Sequence, residues 1–204
     1  MSEPVLQSTR PSAQATAAQA SRAGAGRRRV PDPGAAATRM PRLEAVRMEL
    51  PVLLATQPDL PGAQDPDYLL RALARQLNLP GEGAGITWSV RVCAQPDALT
   101  EPGFVLLLVD PTLAAVRDAY ALIKRLADRG FPHVGVLFRA GGDLAAARRC
   151  HHRLGVGALR FLDLSLVNLG VLPEPGPHFA AALAHAAHVV HNQRRLMALT
   201  EARA

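Results

Sequence analysis

Six consecutive apolar residues, Phe104 to Val109 (FVLLLV), constrain this chain more than any other feature. A strand with one wet face alternates apolar and polar residues, whereas an unbroken apolar run of strand length must be covered on both faces. Sheets covered on both faces are parallel sheets with crossover helices, so the run predicts a layered α/β domain. The next residues agree. Asp110-Pro111-Thr112 breaks the strand, and Thr112 is of a type that caps helices. Leu113, Val116, Tyr120, Ile123 and Ala127 then recur at helical spacing, opposite Arg117, Asp118, Arg125 and Asp128. Arg129-Gly130, a basic last turn followed by glycine, predicts the helix end.

The flanking segments extend the pattern. Pro51 to Ala55 reads as a strand and Tyr68 to Leu77 as a helix ended by the Pro80-Gly81 break. Ile86 to Cys93 alternates and reads as a half-exposed strand, and Val134 to Phe138 as a buried one. Gly141-Gly142-Asp143 opens a helix over Leu144 to Leu154 with Asp143 as N-cap, and Leu159 to Leu172 is expected to hold strand-like segments broken by Asn168 and Gly170. Residues 179–202 read as one helix with Phe179, Leu183, Ala186, Val190 and Met197 in a single stripe, packed on the sheet or, alternatively, lying on a membrane surface or a partner. The fold class is therefore α/β: a mainly parallel sheet flanked by helices, with right-handed crossovers. Residues 1–48, rich in Ala, Ser, Pro and Arg and poor in large apolar side chains, are expected to form a disordered tail in front of an α/β domain spanning 49–204.

Charge narrows the function. Of the 23 basic residues in 204 only one is lysine, Lys124, and it stands in Leu122-Ile123-Lys124-Arg125-Leu126 without the glycine before it or the Ser/Thr after it that a phosphate-binding loop needs. The net charge of +6 invites a nucleic-acid reading, but seven arginines fall within residues 1–42 against only Glu3 and Asp32, which leaves the rest nearly neutral. The body is thus not expected to bind nucleic acid, although an adaptor role through the Arg-rich tail is a competing reading. Two cysteines, Cys93 and Cys150, are too few for a disulfide scaffold and fit a reducing cytoplasm.

No complete catalytic constellation is present. His178, His185 and His188 share one side of the C-terminal helix, but no acidic ligand joins them and His191 rotates away, so solvated positions are expected and no metal or cofactor site is assigned. Cys150-His151-His152 places a thiol beside imidazoles, yet adjacent helical residues point to different sides, so a small buried thiol at a polar helix segment is expected. Asp110 stands at the carboxyl end of a buried parallel strand, where doubly wound folds place functional groups.

The stretch from Phe104 to Pro175 resembles the second half of the MinD/ParA-like ATPases, and most closely the flagellar-number regulators of the FlhG (FleN) type. The resemblance rests on Val105 to Thr112 (VLLLVDPT) followed by Asp118-Ala119-Tyr120-Ala121-Leu122-Ile123-Lys124. The family motif so marked comprises Asp110, Pro111, Thr112, Asp118, Tyr120 and Lys124. Later segments, Val134-Gly135-Val136 and Arg160 to Pro173, look like the family's following strands. The family binds ATP through a lysine-bearing phosphate loop that this sequence lacks, and Phe138-Arg139 stands where its adenine-contacting asparagine is expected. The resemblance therefore implies a degenerate, truncated P-loop-like domain and a pseudo-ATPase without cofactor, whereas an ATP-binding member with an unrecognised phosphate site is the alternative. It also implies a partner. Asp65, Leu70 and Arg71 keep the spacing of the element through which FlhG-type proteins touch the GTPase FlhF. A non-catalytic regulator of flagellar assembly or placement, in the cytoplasm or peripheral at the inner membrane, is the expectation.

Overall fold

A computed structural model of the protein describes residues 46–57, 64–80, 85–100, 103–139 and 143–202. The expected tail up to residue 45, most of the turn after β1, Gly81 of the predicted break and the Gly141-Gly142 turn lie outside the described residues. In chain order the elements are β1 (Val46–Ala55), α1 (Pro66–Leu77), β2 (Ile86–Cys93), a 3₁₀ turn (Pro96–Ala98), β3 (Phe104–Val109), α2 (Leu113–Asp128), β4 (His133–Arg139), α3 (Leu144–Leu162), β5 (Val167–Leu172) and α4 (Pro177–Glu201). All five strands are parallel and run side by side as β2-β1-β3-β4-β5. This is one of the two common doubly wound orders.

The hexapeptide that predicted the fold lies in the middle of the sheet with every residue buried. Val105, Leu107 and Val109 face the core under α2 and α3, together with Ile123, Leu126 and Phe138. Phe104, Leu106 and Leu108 face the core under α1 and α4, together with Leu73, Leu77, Leu183 and Val190. Each fully buried large apolar side chain contributes roughly 1.5–3 kcal/mol, so β3 anchors both layers at once. In β4, beside β3, Gly135 is required by space: a Cβ there would stand 2.5 Å from the Phe104 ring and 2.6 Å from Leu169.

One covering helix is replaced by a short turn. Among its described residues the connection from β2 to β3 crosses β1 with only the Pro96–Ala98 turn, and the outward residues Thr87, Ser89 and Arg91 of β2 are exposed, so the strand reads as alternating. Arg125 holds this turn through Asp97 at 2.6 Å, and Arg129 holds it through the carbonyls of Pro96 (2.6 Å) and Leu99 (2.8 Å). The outer edge of β2 is closed differently. The Asn78 amide, at the C-cap of α1, donates to the Trp88 carbonyl at 2.9 Å and accepts from the Trp88 N–H at 2.8 Å, as a neighbouring strand would.

Several expectations need correcting. β1 begins at Val46, inside the expected tail, because Arg47 and Glu49 lie on its exposed face while Met48 and Leu50 pack inward, an alternation too short to stand out. In α2 the buried stripe is Ala115, Ala119, Ile123 and Leu126, and Leu113 is 74% exposed. Alanines let the helix sit close to the sheet, so the stripe is rotated from the one that large residues suggested. The α3 helix runs on to Leu162, through Gly155 and Gly157, and ends at Asp163 in the left-handed region (φ 51°). The segment from Leu159 to Leu162 is therefore helix and not strand. Gly157 leaves room for Tyr120, whose ring would lie 3.5 Å from a Cβ there. Asn168 and Gly170 do not break β5. Gly170 takes φ +95° where the register with β4 shifts, and its N–H donates to Asn168 Oδ1 at 2.8 Å, which makes a bulge. The α4 stripe is as expected, with Phe179, Leu183, Ala186, Val190 and Met197 all buried. Among the described residues no helix is long and apolar enough to cross a membrane.

Candidate functional site

Doubly wound sheets bind ligands outside the carboxyl ends of their strands, where the strand order reverses. Here that point lies between β1, whose crossover runs outward to β2, and β3, whose crossover runs to β4. The registers Ala55↔Val109 and Val109↔Phe138 bring the ends of β1, β3 and β4 level. The next residues along β3 and β4 are Asp110 and Arg139, and both are buried.

The crevice is filled from within. Arg139 grips Asp110 with a fork of two hydrogen bonds, Nε to Oδ1 at 2.6 Å and Nη2 to Oδ2 at 2.7 Å. Asp110 Oδ2 also accepts from the Gln57 N–H at 2.6 Å, and the Asp110 N–H donates to the Ala55 carbonyl at 3.1 Å. The other arms of Arg139 reach the chain on either side of the β1–α1 turn, Nη2 to the Gln57 carbonyl at 3.0 Å and Nη1 to the Gln64 carbonyl. Carboxylate and guanidinium satisfy one another and fasten two ends of a turn. Asp110 is thus engaged as a structural acceptor, with neither carboxylate oxygen left unpaired to act as base or nucleophile. Asp110 stands at the sequence-expected position, but Arg139 drew no role of its own from the sequence. The available signal was a single arginine ending an apolar strand beside another strand that ends in aspartate.

The other motif residues serve the helix. Thr112 caps α2, accepting from the Ala115 N–H at 3.2 Å, and Pro111 is half-buried beside it. Asp118 and Lys124 are exposed on the outer side of α2, and Tyr120 is half-buried against the core. Asp65 caps α1, accepting from the Asp67 N–H at 3.1 Å; Leu70 is buried with Leu69 and Leu73; Arg71 is exposed. Of these three, Asp65 and Arg71 are therefore the surface-facing pair.

The histidines of the C-terminal helix fall into two groups. His178, His185 and His188 are exposed, and among the described residues no group of three or more His, Cys, Asp or Glu side chains is placed to hold a metal. His191 instead enters the core, its Nε2 3.1 Å from the Leu77 carbonyl and its ring edge-on to Trp88 at 5.6 Å. Cys150 is a half-buried free thiol and His152 is exposed. His151 packs edge-on against Phe138, and burial, followed by the nearby His152, holds its pKa below the ordinary imidazole value. It lines a hollow of about 410 Å³ with Arg148, Asn168 and His178.

Fold and crevice together define a class: a doubly wound parallel α/β domain whose switch point is closed by an internal ion pair. No family profile matches the sequence, and no curated protein matches it. Among solved structures the chain is similar to one in the MinC:MinD cell division protein complex of Aquifex aeolicus, at 18% identity and a TM-score of 0.31. The match covers 55% of this chain and 51% of that one, so it spans about half the length of the solved relative.

Proposed function

We propose that this chain is a non-catalytic protein of the MinD/FlhG-like type that regulates flagellar assembly or placement in bacteria by presenting its helix faces to a partner protein. The observation that carries the reading is the Asp110–Arg139 clasp, which occupies the crevice where a doubly wound fold would take a nucleotide. The α2 sequence from Asp118 to Lys124 supports the family, and the absence of a phosphate-loop lysine from this sequence supports loss of nucleotide chemistry. The partner is a GTPase of the FlhF type, met at the start of α1 through Asp65 and Arg71. The protein works in the cytoplasm or at the inner face of the membrane. Lipid contact would come from the exposed Leu196 and Leu199 near the end of α4, since its buried stripe faces the core.

Two measurements test this. Thermal melts with Mg-ATP and Mg-ADP should show no saturable rise in Tm; a rise with either nucleotide overturns the non-catalytic reading in favour of an ATP-binding one. Titration calorimetry against a purified FlhF-type GTPase should give a saturable complex that Arg71→Glu weakens about tenfold, as expected for one well-placed interfacial charge. No heat, or equal affinity for the variant, rejects the partner.

A further inference from the structure

The two edges of the sheet are finished differently. β2 is clamped from outside by the Asn78 amide, which bonds both the N–H and the carbonyl of Trp88. β5, at the other edge, has only β4 beside it. Backbone groups of a parallel strand turn alternately to its two neighbours, so the outer groups of Val167–Leu172 meet no strand among the described residues. One N–H of the strand is met from within: Gly170 donates to Asn168 Oδ1 at 2.8 Å, at the bulge.

This edge lies in a groove. The α3 helix covers one face of the sheet and α4 the other, and both reach past β5. Leu144 and Arg148 of α3, His178 and Ala182 of α4, and Asn168 and Gly170 of β5 together line the hollow of about 410 Å³. Helical walls beside a strand edge suit an extended chain, which can add its own backbone to the sheet. The charge of the lining selects among such chains. Its ionisable side chains are Arg148, His151 and His178, and no carboxylate is among them. Arg148 is exposed and takes part in no ion pair among the described residues. Asp143, at the start of the same helix, is turned to its own turn, with Oδ1 accepting from the Ala146 N–H at 2.8 Å and Oδ2 3.9 Å from Arg149. Glu174, the residue after Pro173, is exposed and outside the lining. We infer that β5 accepts an extended acidic segment of a partner protein as a sixth strand, with backbone pairing along its outer edge and a carboxylate of the segment against Arg148. Main-chain bonds would supply the affinity and Arg148 the choice of charge. The groove shares no residue with the Asp110–Arg139 clasp, and its use does not depend on the GTPase contact proposed at α1.

The probe is a set of capped, fluorophore-bearing hexapeptides that alternate glutamate with valine, isoleucine or threonine, added to the full-length protein. Their anisotropy should rise saturably, and lysine in place of glutamate should weaken binding at least about tenfold. N-methylation of every second residue keeps the side chains and removes the N–H groups of one peptide edge; in one of its two frames it should also cost at least about tenfold. Arg148→Glu, at an exposed position, should weaken the glutamate peptides about tenfold and narrow the gap to the lysine set. No saturable binding, or equal affinity for the two sets, overturns the inference. Affinity unchanged by Arg148→Glu, or by N-methylation in both frames, overturns it as well, because attraction by the seven arginines of residues 1–42 would give that result.

Discussion

Replacing the buried Arg139 by methionine should cost the fold several kcal/mol. Arg139→Met removes both fork bonds to Asp110 and the contacts to the Gln57 and Gln64 carbonyls, while Asp110 stays buried with only the Gln57 N–H on its side chain. Summing four hydrogen bonds would overstate the loss, because methionine recovers some packing. The dominant effect is an uncompensated buried carboxylate, worth about 3–5 kcal/mol. With a urea slope of about 2 kcal/mol per molar, the unfolding midpoint should fall by about 2 M. The double variant Asp110→Asn/Arg139→Met carries no buried charge, and an amide oxygen can still accept from Gln57. It should therefore be more stable than Arg139→Met alone, by about 2 kcal/mol, within the range of coupling energies between contacting residues. Urea titrations followed by far-ultraviolet circular dichroism measure both. A loss below about 1 kcal/mol for the single variant, or a double variant no more stable than it, would refute the claim that the crevice is closed by a structural ion pair.

Further outcomes follow from geometry elsewhere. Gly135→Ala should destabilise by about 1–3 kcal/mol through overpacking against Phe104 and Leu169, whereas Gly157→Ala, whose Cβ meets Tyr120 at an ordinary 3.5 Å, should stabilise by about 1 kcal/mol through helix propensity; their Tm shifts must have opposite signs. Burial lowers the His151 pKa, so the unfolded chain binds this proton more readily than the native one, and stability falls as pH drops through the ordinary imidazole value towards the lower native one. His151→Gln should remove that component, so the difference between variant and parent stabilities should change from about pH 7.5 to about pH 5; a flat difference rejects it. Asn78→Ala removes both bonds to the Trp88 backbone and should cost about 1–3 kcal/mol while raising light scattering near the melting transition, and an unchanged midpoint would mean the clamp is dispensable.

How much of this was legible depended on whether the cause was local. The apolar run of β3, the Thr112 and Asp143 caps and the α4 stripe were readable because spacing and capping chemistry act within a few residues. The rotated stripe of α2 was not, because alanines bury as well as large residues once the sheet comes close, and closeness is a tertiary property. The same holds for α3, expected over Leu144 to Leu154, which instead runs on to Leu162 with Gly157 beside the Tyr120 ring. At the crevice, Asp110 was marked by its strand position, but its meaning came from Arg139, 29 residues on and brought beside it by the sheet register. Asn78 and His191 were invisible for the same reason: each finds its partner on another element.

The two cores also differ in how far apart in the chain their parts lie. The layer under α2 and α3 draws largely on the contiguous stretch from β3 to β5, so local closure can build much of it. The layer under α1 and α4 joins the first helix to the last, as in the contact from His191 to the Leu77 carbonyl across 114 residues. Loop closure over that distance is slow to gain its return, so folding should proceed in order: β3, α2 and β4 first, with α4 arriving last to shut the second face. Until then Trp88, Leu73 and Leu77 stand uncovered. Pulse-labelled hydrogen exchange during refolding would therefore protect the amides of β3 and β4 before those of α1, and the late burial of Trp88 would time the docking of α4.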